Sequence, residues 1–356
     1  MKIGIVTLYG FFNHGNRLQN YALQHVLEEC GHTVETLAVE QKKNPVKSFI
    51  KKYLERGQNG FVLIPAVERR REKNFKRFSE QNIPVRYMVT ADGKFPDTIG
   101  QEYDALVVGS DQVWNPSFWE DSDTCSDLYN FLLQFACKKK VAYAASFGIE
   151  QLPEQWEKRM VPSMREFDAI SVRETAGKEL LKQFDIPSEV VLDPTMLVKA
   201  EDWRKVESHV VAPDKNYILL YFLGEQPDHV KTMIQDKAAE LGAEIVDLMD
   251  EKSTYFYEKG PDTFLETIDK AEIVFTDSFH ASVFSLIFHT SFVVLGRLHN
   301  NGTNMNSRIE TLLHTVGIKD GISTDHAIVH QDFNNTDQLL AAAREKSLEL
   351  LKSMLG

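Results

Sequence analysis

At 356 residues the chain is too long for one ordinary hydrophobic core, so two domains are expected. Its apolar fraction of 43% and charged fraction of 26% are those of a soluble globular protein rather than a disordered or fibrous one. A net charge of −12 argues against nucleic acid as a general partner, and no apolar run approaches the roughly 20 residues of a membrane span.

The chain opens on "KIGIVTL", a β-branched run with buried-strand character and no charged leader or cleavage site before it, so a cytoplasmic protein is expected. "YGFFNHGNRLQNYALQ" follows and passes into a helical pattern that ends at Gly31. Gly10 and Gly15 are spaced like the glycines of a phosphate-cradling loop, but Asn16 and Arg17 stand where such a loop needs Lys and then Ser or Thr. This strand–loop–helix therefore holds something other than the phosphates of ATP.

"TVETLAV" reads as a second strand, and a basic stretch comes next. Between Lys42 and Arg77 lie 12 Lys or Arg and three acids, Glu55, Glu68 and Glu72. One reading is a solvated helical face. The other is a basic, partly apolar surface, with Phe49, Ile50, Tyr53 and Leu54 on one helical side, that docks on anionic lipid or substrate.

"YDALVVGSD", "KKVAYAASFG", "DAISVRE" and "SEVVLDP" are apolar runs that end in Gly, Ser, Asp or Arg, as parallel strands do when their C-terminal edge lines a site. "VVGSDQVWNP" places Ser110, Asp111, Gln112, Trp114 and Asn115 directly after a buried strand. Such a group suits a hydroxyl-rich ligand, with Asp and Asn on hydroxyls and Trp against a sugar face, and it equally suits plain turn chemistry. Arg173, at the end of "AISVR", is either a planar fork for a carboxylate or phosphate or the partner of Glu174 or Asp168 in a surface ion pair. Asp193 in "VLDPT" reads as structural, and Cys30, Cys125 and Cys137 read as free thiols of a reducing compartment.

The pattern restarts after "DPTMLVKAEDW" with the strands "NYILLYFLG", "EIVDLM", "AEIVFTDS" and "SFVVLGR" and the helices "DHVKTMIQDKAAELG" and "PDTFLETIDKA". A last helix runs from about Thr336 to Leu355, with Asn335 and Gln338 at capping-box spacing. In "TDSFHASVFSLIF" a strand meets a strongly apolar helix at Ser278, and His280 sits in the first helical turn. That helix end suits a phosphate or carboxylate, and His280 is placed to donate a proton to it. The plain alternative is a buried histidine satisfied by a backbone carbonyl. No GxGxxG opens a helix, and HExxH and clustered Cys/His are absent, so neither a dinucleotide nor a metal is assigned.

The fold expected is two doubly wound, Rossmann-like α/β domains facing a cleft: residues 1–197, residues 198–335, and a C-terminal helix over 336–356.

Together "NHGNRLQNYALQ", "VVGSDQVWNP", "YAASFG", "ISVRE", "VVLDPTML" and "DSFHASVFSLIF" resemble the polysaccharide pyruvyl transferase family, in the right order over residues 1 to about 290. The resemblance implies a GT-B-like enzyme. Its reaction moves the enolpyruvyl group of phosphoenolpyruvate onto two hydroxyls of a sugar, makes a cyclic pyruvate ketal and releases phosphate, with no further cofactor. It maps a catalytic histidine onto His280, the general acid, and a donor-gripping arginine onto Arg173, with Ser278 beside them. One branch of the family has Arg-Leu-His where this chain has Ser278-Phe279-His280, so the resemblance leaves a donor guanidinium to come from Arg17, Arg297 or Arg308. Asn16 and the "GSDQVWNP" residues would then meet the acceptor. That acceptor is a sugar or a lipid-linked oligosaccharide of bacterial surface polysaccharide, with the basic segment touching the inner membrane face. The competing readings are a nucleotide-sugar glycosyltransferase on the same architecture and a non-catalytic carbohydrate-binding protein.

Overall fold

The computed structural model describes residues 1–11, 13–42, 54–57, 60–63, 66–119, 125–135, 137–209, 216–250, 258–297, 306–318, 322–323, 327–330 and 332–356. The β-branched runs become strands. In the first half these are β1 (Lys2–Val6), β2 (Thr33–Gln41), a hairpin of β3 (Leu54–Gly57) and β4 (Gly60–Leu63), β5 (Val85–Thr90), β6 (Ala105–Asp111), β7 (Lys140–Ala145), β8 (Ala169–Val172) and β9 (Glu189–Val190). Seven of them form one parallel sheet in the order β5-β2-β1-β6-β7-β8-β9. The central strand β6 is buried at every position, as a parallel strand covered on both faces must be.

The second half carries β10 (Tyr217–Tyr221), β11 (Glu244–Asp247), β12 (Ile273–Thr276), β13 (Phe292–Val294) and β14 (Ile328–His330), in the order β11-β10-β12-β13-β14. Only the β13–β14 pairing in it is antiparallel. The fold is thus α/β with two Rossmann-like sheets, as expected from the two runs of strand and helix.

The helices are α1 (His14–Glu29), α2 (Ala66–Asn82), α3 (Asp97–Gln101), α4 (Ser126–Phe131), α5 (Glu154–Met164), α6 (Thr175–Lys182), α7 (Ala200–Arg204), α8 (Asp228–Leu241), α9 (Pro261–Asp269), α10 (Phe279–Phe288), α11 (Ser307–Thr315) and α12 (Asn334–Leu355). None described is long and apolar enough to cross a membrane. The two halves share one interior. Leu18, Leu23 and Leu27 of α1 lie in the same apolar cluster as Trp203, Phe264 and Phe284 of the second half. Helix α12 returns to the first half, where Lys139 Nζ donates to Leu355 O at 2.6 Å and Arg344 Nε donates to Met196 O at 2.8 Å.

Two sequence expectations change here. Helix α12 begins at Asn334 with Phe333 at its N-cap and no side-chain capping bond, so Asn335 lies inside the helix and the capping box does not form. Leu54 belongs to a strand, not to a helical face, and Phe49, Ile50 and Tyr53 lie outside the described residues.

In the described part of the basic stretch Arg70, Lys73, Lys76 and Arg77 are exposed, as on a solvated helical face. On α2, Arg70 pairs with Glu258, Arg77 Nη2 meets Asp262 Oδ2 at 2.8 Å, and Asn74 donates to Glu258 O at 2.8 Å. Arg71 is buried. Arg70 and Arg77, with side chains 50% and 51% exposed, thus link the first half to the second at the surface; Lys51 and Lys52 lie outside the described residues.

Candidate active site

In a doubly wound sheet, ligands collect beyond the strand ends where the order reverses direction. The first sheet reverses between β1 and β6, and the second between β10 and β12. Three of the loops leaving those four strands are segments read from sequence as chemical, Tyr9–Gly15, Asp111–Asn115 and Asp277–His280; the fourth, Phe222–Gly224, carries no such signal. They face one another around a cavity of about 270 Å³, to which Asn13, Gly15, Asp111 and Gln112 come from the first half and Asp277, Ser278, His280, Arg297 and Arg308 from the second.

His280 reaches this cavity from the first turn of α10, whose N-cap is Ser278, its Oγ accepting from Ala281 N at 3.5 Å. The imidazole lies directly on the N-terminal turn of α1. A Cβ placed on Gly15 would fall 2.0 Å from His280 Nδ1, so only glycine lets the two halves approach this closely. The second glycine of the phosphate-loop look-alike thus seats an imidazole. Nε2 of His280 meets no hydrogen-bond partner, and Asp193 Oδ2 stands 3.9 Å away. Burial lowers the His280 pKa below its usual 6.5, against the pull of Asp193 and Asp111, so the ring is neutral at pH 7 in the empty site.

Beneath His280 lies a buried charge network. Arg173, 2% exposed, joins Asp193 Oδ2 through Nη1 at 2.8 Å and Asp111 Oδ1 through Nη2 at 3.2 Å, and its guanidinium lies 4.6 Å from the centre of the Phe279 ring. Asp111 also accepts from Asn16 Nδ2 at 3.2 Å, and Asp193 accepts from Ser110 Oγ at 2.9 Å and Thr195 N at 3.0 Å. Burial alone would raise the Asp111 carboxyl, but Arg173, His280 and Arg308 outweigh it and hold it at about 2. Asp193 is likewise lowered, burial being overcome by Arg173 and His280.

Arg308, on α11, reaches the same cavity. Burial and the nearby Arg173 lower its pKa to about 10, so it stays charged at neutral pH. Arg297 forks onto Asp277, Nε to Oδ2 at 2.8 Å and Nη2 to Oδ1 at 3.0 Å, and Asp277 also accepts from Leu223 N and Gly224 N. That knot fixes the loop after β10 against the mouth of α10.

The structure sorts the sequence candidates. His280, Ser278, Arg308, Asp111 and Gln112 line the cavity. Arg173 does not: its Nη1 and Nη2 are paired with two carboxylates and it faces a smaller cavity behind Phe279. Arg17 is fully buried; it donates to Leu8 O, to Asn16 Oδ1 at 2.7 Å and to Asn20 Oδ1 at 3.3 Å, and so braces the loop rather than facing a ligand. Trp114 is a core residue, 0% exposed, with its indole N–H on Phe131 O at 3.1 Å, so it offers no face to a sugar. Ser110 bonds to Ala144 O and Asp193, below the cavity floor. Asn115 caps the turn Pro116–Phe118 through Ser117 N and donates to Gln112 Oε1 at 2.7 Å, the turn chemistry its Asn-Pro pairing allowed. Asn16 acts by orienting Asp111.

Sequence reasoning missed Asp193, whose second oxygen does cap a turn, as structural aspartates do, while the first serves Arg173. It also missed Asp277, although an Asp one residue before an N-cap serine at a switch point is a readable signal. His14 is buried in a stack with Phe264, ring centres 4.8 Å apart. One metal-like grouping occurs among the described residues, His25, Glu29 and Asp202, at the other end of α1 from the cavity.

Among solved structures, the UDP-GlcNAc 2-epimerase of Methanocaldococcus jannaschii is similar at 13% identity, with 98% of this chain and 93% of that chain covered and a TM-score of 0.46. The UDP-GlcNAc 2-epimerase of Neisseria meningitidis, bound to UDP-GlcNAc, is similar at 10% identity over 97% of this chain and 100% of that chain, TM-score 0.46. The glycosyltransferase SsfS6 of Streptomyces sp. SF2575 is similar at 12% identity over 100% and 95%, TM-score 0.36. Among curated proteins, none matches. Residues 13–300, which contain the second switch point, the buried Arg173 network and His280, match the family description "Polysaccharide pyruvyl transferase"; the chain belongs to the polysaccharide pyruvyl transferase family.

Proposed function

We propose that the protein transfers the enolpyruvyl group of phosphoenolpyruvate onto two hydroxyls of one sugar, forming a cyclic pyruvate ketal and releasing phosphate, in the assembly of a bacterial surface polysaccharide. The observation that carries this reading is the meeting, in one cavity built from both halves, of an imidazole with a partnerless Nε2 and the cation Arg308. Phosphoenolpyruvate presents a carboxylate and a phosphate. Arg308 and the N-terminal turn of α10 at Ser278 receive these anionic groups, with Arg297 at the rim.

His280 protonates the donor's methylene carbon, which turns the enol carbon into an electrophile. A first sugar hydroxyl attacks that carbon and returns a proton to His280. The C–O bond to phosphate then breaks, the second hydroxyl closes the ring, and its proton leaves with the phosphate. Of the two hydroxyl protons, one replaces the proton that His280 gave to carbon and one leaves on phosphate, so the reaction balances. Asp111 and Gln112, on the opposite wall, are placed to hold the acceptor's hydroxyls. Arg173 grips no donor here; it holds Asp111 and Asp193 in place behind the imidazole. The acceptor is a free or lipid-linked sugar.

Incubation with phosphoenolpyruvate and a panel of galactose- and mannose-type acceptors is the test. Phosphate release together with a product heavier by one pyruvyl ketal supports the reading. Thermal stabilisation by nucleotide sugars and none by phosphoenolpyruvate would support a glycosyltransferase instead.

The close seat at Gly15 gives a sharper check of the geometry. Gly15→Ala is expected to lower turnover by about 10²-fold, because the new methyl pushes the imidazole aside, and misplacing a reacting group by about 1 Å costs that much. Helix formation itself does not suffer, since Ala is the better helix former. Full activity in this variant, in a steady-state assay, would show that the ring position does not matter.

A further inference from the structure

Behind Phe279 lies a second cavity, of about 160 Å³, large enough for a small anion and a few waters and too small for a sugar. Its walls come from Arg173, the Val190–Asp193 run, α11 with Arg308 and Thr311, and α12 with Lys346. Three cations and one carboxylate, Asp193, line it; Asp111, paired with Arg173, and the buried Glu174 stand close to the two arginines from outside the chamber. The Nε–H of Arg173 is buried and meets no acceptor. Phe279 and Arg308 line this chamber and the cleft cavity alike, so one ring and one guanidinium make up the partition. At the other wall Lys346 is exposed, which opens the chamber to solvent.

A chamber that opens to solvent, holds an unmet guanidinium N–H and shares an arginine with the donor cavity is a place for an anion that leaves. We propose that this rear chamber is a seat for a tetrahedral oxyanion, inorganic phosphate, distinct from the donor's place in the cleft. Arg308 passes the released phosphate from one cavity to the other, and Lys346 draws it outward. The inference rests on the reaction proposed above for its purpose, but the binding itself does not depend on turnover.

The test is calorimetric titration of inorganic phosphate into the full chain. The wild type is expected to bind, Lys346→Ala to bind several-fold more weakly, and Lys346→Glu to lose about tenfold or more, since it replaces attraction by repulsion at short range. Both variants change an exposed position on α12 and are expected to keep the wild-type melting temperature. In steady-state assays phosphate is expected to inhibit non-competitively against phosphoenolpyruvate, because the two anions sit in different cavities. Undiminished phosphate binding in Lys346→Glu, no binding by the wild type at millimolar phosphate, or purely competitive inhibition would each overturn the proposal. If the protein binds phosphate through Lys346 but does not turn over phosphoenolpyruvate, the chamber stands and the reaction falls. If turnover occurs and Lys346 does not matter to phosphate, the reverse holds.

Discussion

His280→Gln is expected to lower kcat/KM for pyruvyl transfer by about 10²–10⁴-fold while the protein still folds, the usual loss when a positioned acid–base group is removed. Glutamine keeps much of the volume at a position that is 8% exposed and keeps a donor near Asp193, so stability changes little and the loss reads as chemistry. The pH dependence of the wild type adds a signed expectation. In the empty enzyme burial holds the His280 pKa below 6.5, so the acid form is scarce at pH 7. A dianionic donor favours the protonated ring and moves its pKa up in the complex. If the protonated form does the work, kcat/KM falls as pH rises through the free-enzyme value, and kcat falls only at a higher pH. Profiles of the two parameters from pH 5 to 9 check the order of the two limbs; a kcat limb at the lower pH would assign His280 as a base.

Arg173→Leu is expected to destabilise the fold by about 3–5 kcal/mol, the cost of breaking a buried ion pair from one side. The arginine is 2% exposed and its partners Asp111 and Asp193 are 5% and 1% exposed, so neither carboxylate can turn to water when the guanidinium is gone. Burial, no longer opposed by Arg173, would then push both carboxyl pKa values upward. The size of the effect separates this network from the surface pairs. Lys158–Glu154, whose side chains are 72% and 79% exposed, should be worth less than about 1 kcal/mol by the same measure. Urea unfolding of Arg173→Leu, and of the same variant with Asp111→Asn and Asp193→Asn added, gives the check. The triple variant should regain part of the loss, because an amide left without the arginine costs less than a buried charge. A shift of less than about 1 kcal/mol in the single variant would mean that the network carries little of the fold.

The architecture was legible wherever a strand is buried on both faces. β6, β10 and β12 are buried along their whole lengths, and each contains an unbroken apolar run in the sequence, Ala105–Val108, Tyr217–Tyr221 and Ile273–Phe275. β5 does not, because as an edge strand it shows Tyr87 and Val89 to solvent and alternates with Arg86, so its run looks like loop. The site was legible at its helix junction: Ser278 and His280 sit where a strand end and a helix N-terminus give chemistry a place. Trp114 misled because a tryptophan in a loop motif looks the same whether its indole covers a sugar or fills a core. Asp193 misled in the opposite sense, since a turn-capping aspartate has a second oxygen whose partners are set by tertiary structure alone. Arg17 and Arg173 have the charge a donor site needs, but nothing local to them tells that neighbouring amides and carboxylates already enclose them.

The single interior shared by α1 and the Trp203–Phe264–Phe284 group limits how this molecule can breathe. Swinging the lobes apart would bring hydrocarbon from both of them into water, so wide gaping is disfavoured and reactants must thread in through the narrow mouth. For the reaction proposed above, a site held shut in this way would keep bulk water off the cationic carbon, the one species on that path that water would destroy.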